Sequence, residues 1–301
     1  MTGTVGGSSI AAMCVTLFIS LFLPVIGLIV YGVRNKKQGV VGAWFLGAAG
    51  FFVTQILIRT PILSALSLSE GFVVFAENNY LVYVLVLALT AALFEVAGRY
   101  FSAKVLSKNL TFTKGFAAGL GHGGIEAMFL IGVAYISNLL YVAMINSGTI
   151  EVVIAQTEAM GVDATPVYTL VDTLINTPAY MYLLAGYERI LTMIGHTAMT
   201  LVVFYFMWRK QTLKGIGITV LFHTLLDGVS GIVGGLATPY LGSLISQNVS
   251  YVITYVYLTV MAVVSVVVIR KIKMLWPEEI AEAACAKEKD ETVAFESGAG
   301  E

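Results

Sequence analysis

Seven apolar runs, at 9–33, 39–60, 79–100, 114–144, 183–208, 214–236 and 248–271, dictate what this chain can fold into. About twenty apolar residues, rising 1.5 Å each along a helix, match the ~30 Å hydrocarbon core of a bilayer. Inside lipid each backbone N–H and C=O must be satisfied by the protein itself, which leaves helices or closed barrels. A barrel would show ~10-residue segments of alternating polarity, whereas these runs are continuous. Charged residues make up 12% of the 301, against about 25% in soluble domains. The chain therefore reads as an all-α, polytopic helical bundle with seven spans: a membrane domain over 1–276, with its core at 79–236.

The connections carry an independent signal. Arg34, Lys36 and Lys37 follow the first run, Lys104, Lys108 and Lys114 lie between the third and fourth, Arg209, Lys210 and Lys214 join the fifth and sixth, and Arg270, Lys271 and Lys273 follow the last. The intervening connections, 61–78, 145–182 and 237–247, contain no Lys or Arg. Basic loops face the cytoplasm, so the amino terminus is expected outside and the carboxyl terminus inside. The first run begins without a basic n-region and exceeds the ~7–15-residue core of a signal peptide, so it reads as a retained span. The 145–182 connection, with Pro166 and Pro178, is expected to form short interfacial helices as an outside cap. The acidic segment 277–301 is expected to be a partly disordered cytoplasmic tail. Cys14 and Cys285 are too far apart in the topology to suggest a disulfide. A net charge of −1 argues against nucleic acid as a partner. The partner the composition demands is the lipid bilayer.

Ionised groups inside a span are costly and mark function or interhelical pairing. All three histidines, His122, His196 and His223, fall in predicted spans, and two have an acid four residues on: Glu126 after His122 and Asp227 after His223. Glu95 and Arg99 repeat that spacing, which places both members of a pair on one helix face. Counted from the nearest basic loop residue, His122 is 8 positions in, Glu95 and His223 are 9, Glu126 is 12, and His196 and Asp227 are 13. At 1.5 Å per residue the six share a layer roughly 12–20 Å deep, on the cytoplasmic side of the midplane. Gly115, Gly119 and Gly123 recur every fourth position and read as a close-packing face.

Imidazole and carboxylate at i, i+4 is metal-ligand spacing, and with a third histidine the set suits Zn²⁺. Without metal, the same groups suit a general base that activates water. No Ser or Cys nucleophile accompanies them, so hydrolysis by activated water is the natural chemistry. There is no HExxH motif.

The order "FEVAGR" (94–99), "GLGHGGIE" (119–126), "GH" (195–196) and "FHTLLD" (222–227) resembles the YhfC-type membrane peptidases. These are grouped with the CAAX-prenyl endopeptidases, bacteriocin-processing proteins and PrsW-type proteases, whose pattern is EExxxR, FxxxH and HxxxN or HxxxD. The resemblance covers about 90–230. It implies an intramembrane endopeptidase of a prokaryotic cell membrane, metal-assisted, acting on a membrane-embedded or membrane-associated peptide. Glu95 and Arg99 match the second Glu and the Arg of the first motif; Phe94 occupies the position of its catalytic Glu. The water-activating carboxylate must then be Glu126 or Glu95, with Glu126 favoured because it lies deeper and shares a face with His122. His223 and Asp227 match HxxxD, and His122 and His196 compete for the remaining histidine role. His122, His196 and His223 are the candidate metal ligands; Glu126, Glu95, Arg99 and Asp227 are the candidate catalytic groups. Two other readings use the same residues: an ion- or proton-coupled transporter, and a catalytically silent scaffold.

Overall fold

In a computed structural model, which describes residues 3–276, all regular structure is helical. Seven helices are long and apolar enough to cross a membrane: α1 (Gly7–Arg34), α2 (Val40–Ser67), α4 (Tyr80–Val105), α5 (Phe112–Ser147), α8 (Ala179–Trp208), α9 (Thr212–Leu236) and α10 (Gln247–Leu275). A short α3 (Glu70–Asn78) follows α2, and α6 (Thr149–Ala159) and α7 (Thr165–Asn176) fill the connection between α5 and α8. The segment 277–301, with Cys285 and the expected tail, lies outside the described residues.

Two apolar cores hold the two ends of the bundle. Near the basic connections, Val96 and Ala103 of α4 meet Phe112 of α5, Leu201 and Phe204 of α8, and Ile272 and Trp276. At the opposite end Met13 of α1, Tyr135 and Val142 of α5, Ile150 and Ile154 of α6, Val171 and Leu174 of α7 and Tyr182 of α8 form the second. Asn146 adds a two-way tie there, accepting from Val5 N at 2.8 Å and donating to Val5 O at 3.1 Å.

The glycines of α5 let it wedge between α2 and α8. A Cβ on Gly119 would stand 2.6 Å from Thr197 Cα, and one on Gly123 3.1 Å from His196 Cβ, so this face lies directly on α8. The opposite face is as close: a Cβ on Gly121 would lie 2.0 Å from the Trp44 carbonyl oxygen of α2. Without these side chains missing, α2, α5 and α8 could not approach.

Helix α2 runs past the expected limit of residue 60. Pro61 lacks an N–H and would ordinarily disrupt a helix, but Phe52–Arg59 is wound as a π-helix, which reassigns the local carbonyls and carries the helix on to Ser67. Two further π segments, Phe18–Phe22 and Met128–Gly132, interrupt α1 and α5.

Candidate active site

The predicted polar residues converge between the two apolar cores. Glu95 of α4 is at the centre. Its Oε2 is 3.0 Å from Arg99 Nη2, 3.1 Å from His122 Nε2, 3.4 Å from His196 Nδ1 and 3.7 Å from His223 Nδ1. Its Oε1 accepts from Gln55 Nε2 at 2.8 Å. Glu95, Arg99, His122, His196 and His223 are each at most 4% exposed, so these groups have exchanged water for one another, which a buried charge requires.

His122 and Glu126 share a helix face but bond elsewhere: His122 to Glu95, and Glu126 to α8. Glu126 Oε1 accepts from Arg189 Nη1 at 3.0 Å, and Arg189 also binds Glu188. Arg99 Nη2 donates to His196 Nδ1 at 2.6 Å. An imidazole that accepts at Nδ1 carries its proton on Nε2, and His196 Nε2 lies 2.6 Å from Glu126 Oε2. His196 is thus the group that meets Glu126 Oε2. At the far side His223 Nε2 is 3.3 Å from Asp227, whose side chain is 40% exposed.

Glu95, Glu126, His196, His223, Asp227 and Arg189 line a cavity of about 320 Å³, whereas His122 and Arg99 do not reach its wall. It is closed beneath by Glu95, His196 and His223, and is exposed at the level of Thr60, Leu130, Glu188 and Asp227. Leu130 is at the middle of α5, and Thr60, Glu188 and Asp227 lie in the halves of their helices that join the connections without Lys or Arg. The polar layer is thus deeper than the six predicted residues suggest: Gln55, Arg59, Glu188 and Arg189 extend it. Gln55 and Arg59 repeat the i, i+4 polar spacing inside the second apolar run, and Glu188–Arg189 interrupts the fifth; the rule applied to the histidines would have found them. Phe94 is half-buried and does not line the cavity; in this register Glu95 is the inward carboxylate.

Among the described residues, Glu95, His122 and His196 each offer a ligand atom within 4.8 Å of one another. His223 stands beside that group rather than in it. Two imidazoles and a carboxylate form a ligand set of catalytic zinc sites, which keep a further position open. His122 Nδ1 and His223 Nδ1 are buried without hydrogen-bond partners, so the cluster holds donor capacity that the protein alone does not use. The donor chemistry fits a metal ion. Arg99 Nη2 supplies the positive charge between Glu95 and His196 and would have to release His196 Nδ1 for that atom to ligate.

The description of the YhfC intramembrane metalloprotease family matches residues 19–249. The chain is 30% identical over 211 residues to the uncharacterized membrane protein YhfC of Bacillus subtilis (strain 168), covering 68% of this chain and 78% of that protein. No solved structure matches it.

Proposed function

Since the chain belongs to the YhfC intramembrane metalloprotease family, we propose that this integral membrane protein hydrolyses a peptide bond of a membrane-embedded or membrane-associated peptide with activated water. The observation that carries this reading is the buried Glu95–His122–His196 group, of which Glu95 and His196 line a cavity. Those three residues would hold the metal, with Zn²⁺ the ion their chemistry suits. When bound, such an ion supplies a Lewis acid and lowers the pKa of a coordinated water.

The chain's own groups divide the remaining work. Glu95 is committed on both oxygens, to Gln55 on one and to Arg99 and His122 on the other, and serves as a fixed ligand. Glu126 is held by Arg189 through Oε1 and turns Oε2 to the His196 imidazole, a carboxylate–imidazole pair at the cavity wall that fits a general base. It takes one proton from water as the water oxygen bonds to the carbonyl carbon. The C–N bond then breaks and that proton passes to the departing nitrogen, leaving an amine and a new carboxylic acid. Asp227 orients His223, which faces the cavity and can donate to the carbonyl oxygen as it gains charge. By the loop-charge rule, the exposed end of the cavity faces the outer half of the membrane.

Metal analysis of the purified protein, beside proteomics of cells expressing wild type or Glu126→Gln, tests this. Bound zinc and a membrane peptide that accumulates uncut in the variant are expected. Solute flux in liposomes that depends on Glu126, with no peptide cut, would replace the peptidase with a transporter.

A further inference from the structure

Among the described residues, Arg59 is the arginine lining this cavity that makes no close ion pair; Glu95 and Asp227 act on it only from a distance. Arg99 pairs with Glu95, and Arg189 with Glu126 and Glu188. Arg59 is half-buried in the π segment of α2, and its bonds go only to neutral groups: Leu87 O at 2.8 Å, Gln55 Oε1 at 3.3 Å and Thr90 Oγ1 at 3.4 Å. It nevertheless lines the same cavity as the Glu/His cluster. A guanidinium at membrane depth costs a few kcal/mol unless compensated, and its planar fork is suited to a carboxylate. An anion arriving with the ligand would complete it.

The distance from the cluster sets what that anion belongs to. Gln55 bridges the two, accepting from Arg59 and donating to Glu95. A single side-chain amide therefore separates the Arg59 head from Glu95. Extended peptide advances roughly 3.3–3.6 Å per residue, so a carboxylate on Arg59 places a peptide bond one or two residues back over Glu95 and His196, the members of the cluster that line the cavity. At about 320 Å³ the cavity is at the small end of ligand sites, in keeping with a chain end.

We infer that Arg59 binds the free carboxyl end of the substrate peptide, so that the enzyme releases one or two residues from a C-terminus instead of cutting mid-chain. The inference rests on the hydrolase reading above and names its substrate class. Water adds across the penultimate or preceding peptide bond, giving a shortened chain with a new carboxylate and a free amino acid or dipeptide that carries the original one.

The test compares binding to the detergent-purified full chain of one hydrophobic peptide as free acid and as C-terminal amide, in wild type, Arg59→Gln and Arg59→Lys, with oleate as competitor. Wild type is expected to prefer the acid at least tenfold, Arg59→Gln to bind both alike, and Arg59→Lys to keep part of the preference; retained metal content confirms that the variants fold. Equal binding of acid and amide by wild type, or a preference that survives Arg59→Gln, overturns the inference. Displacement of the acid by oleate at equal affinity would make Arg59 a reader of lipid carboxylates and would also overturn it. Hydrolysis assayed in parallel separates the two claims. Acid preference without hydrolysis removes the peptidase and leaves the carboxylate site, whereas equal cleavage of acid and amide removes the carboxylate site and leaves the peptidase.

Discussion

At the residue scale, the two buried glutamates differ in what their oxygens are doing. Glu95 is shared among Gln55, Arg99 and His122, whereas Glu126 Oε2 meets only the His196 imidazole. Glu126→Gln is therefore expected to abolish peptide hydrolysis while leaving bound metal near the wild-type ratio. Glu95→Gln should lose the metal itself; atomic emission on the two purified variants distinguishes them. Arg189 lies outside the ligand group, but its removal strands Glu126 in a buried site. Arg189→Leu is expected to cost about 3–5 kcal/mol, the usual penalty for breaking a buried ion pair, seen as a marked drop in thermal stability in detergent. The histidines and their i+4 acids announced themselves in the sequence because polar groups are conspicuous in apolar runs. Their true partners did not, since spacing along one helix reports a shared face and says nothing of the neighbouring helix that competes for the bond. That is why His122 bonds Glu95 and Glu126 bonds Arg189.

At the element scale, α5 is held by contacts that admit no side chain on either face. Gly121→Ala would press a methyl against the Trp44 carbonyl of α2, and Gly47→Ala would do the same from α2, where a Cβ falls 1.9 Å from the Ala118 oxygen. Each is expected to cost about 1–3 kcal/mol or more as the helices separate. Gly234→Ala, with nothing within 4 Å, should be neutral or slightly stabilising; melting curves of the three variants check this. The seven spans were legible because apolar length alone selects a membrane helix. The π windings were not, because hydropathy does not register a change in helical hydrogen bonding. The end of α2 at Ser67, beyond the expected residue 60, was hidden for that reason.

At the scale of the whole molecule, the site is a polar seam between two apolar cores, with its exposed end on the side of the bundle whose connections carry no Lys or Arg. A cysteine at Ser230 is expected to react with a membrane-impermeant maleimide added outside intact cells, and to be protected by a peptide bound in the cavity. Labelling only from the cytoplasmic side would reverse the orientation derived from loop charge. The pairings also bear on how the chain enters the bilayer in the first place. Helices α4, α5, α8 and α9 each bring their own complement: Glu95 with Arg99, His122 with Glu126, Glu188 with Arg189, His223 with Asp227. Each can be handed to lipid as a nearly neutral hairpin-ready segment and trade partners afterwards. Helix α2 has Arg59 and no acid, and the bonds of that arginine outside its own helix go to Leu87 and Thr90 of α4. During biogenesis α2 is thus the one site helix that must wait for its neighbour, and α2 and α4 are expected to leave the insertion machinery as a pair.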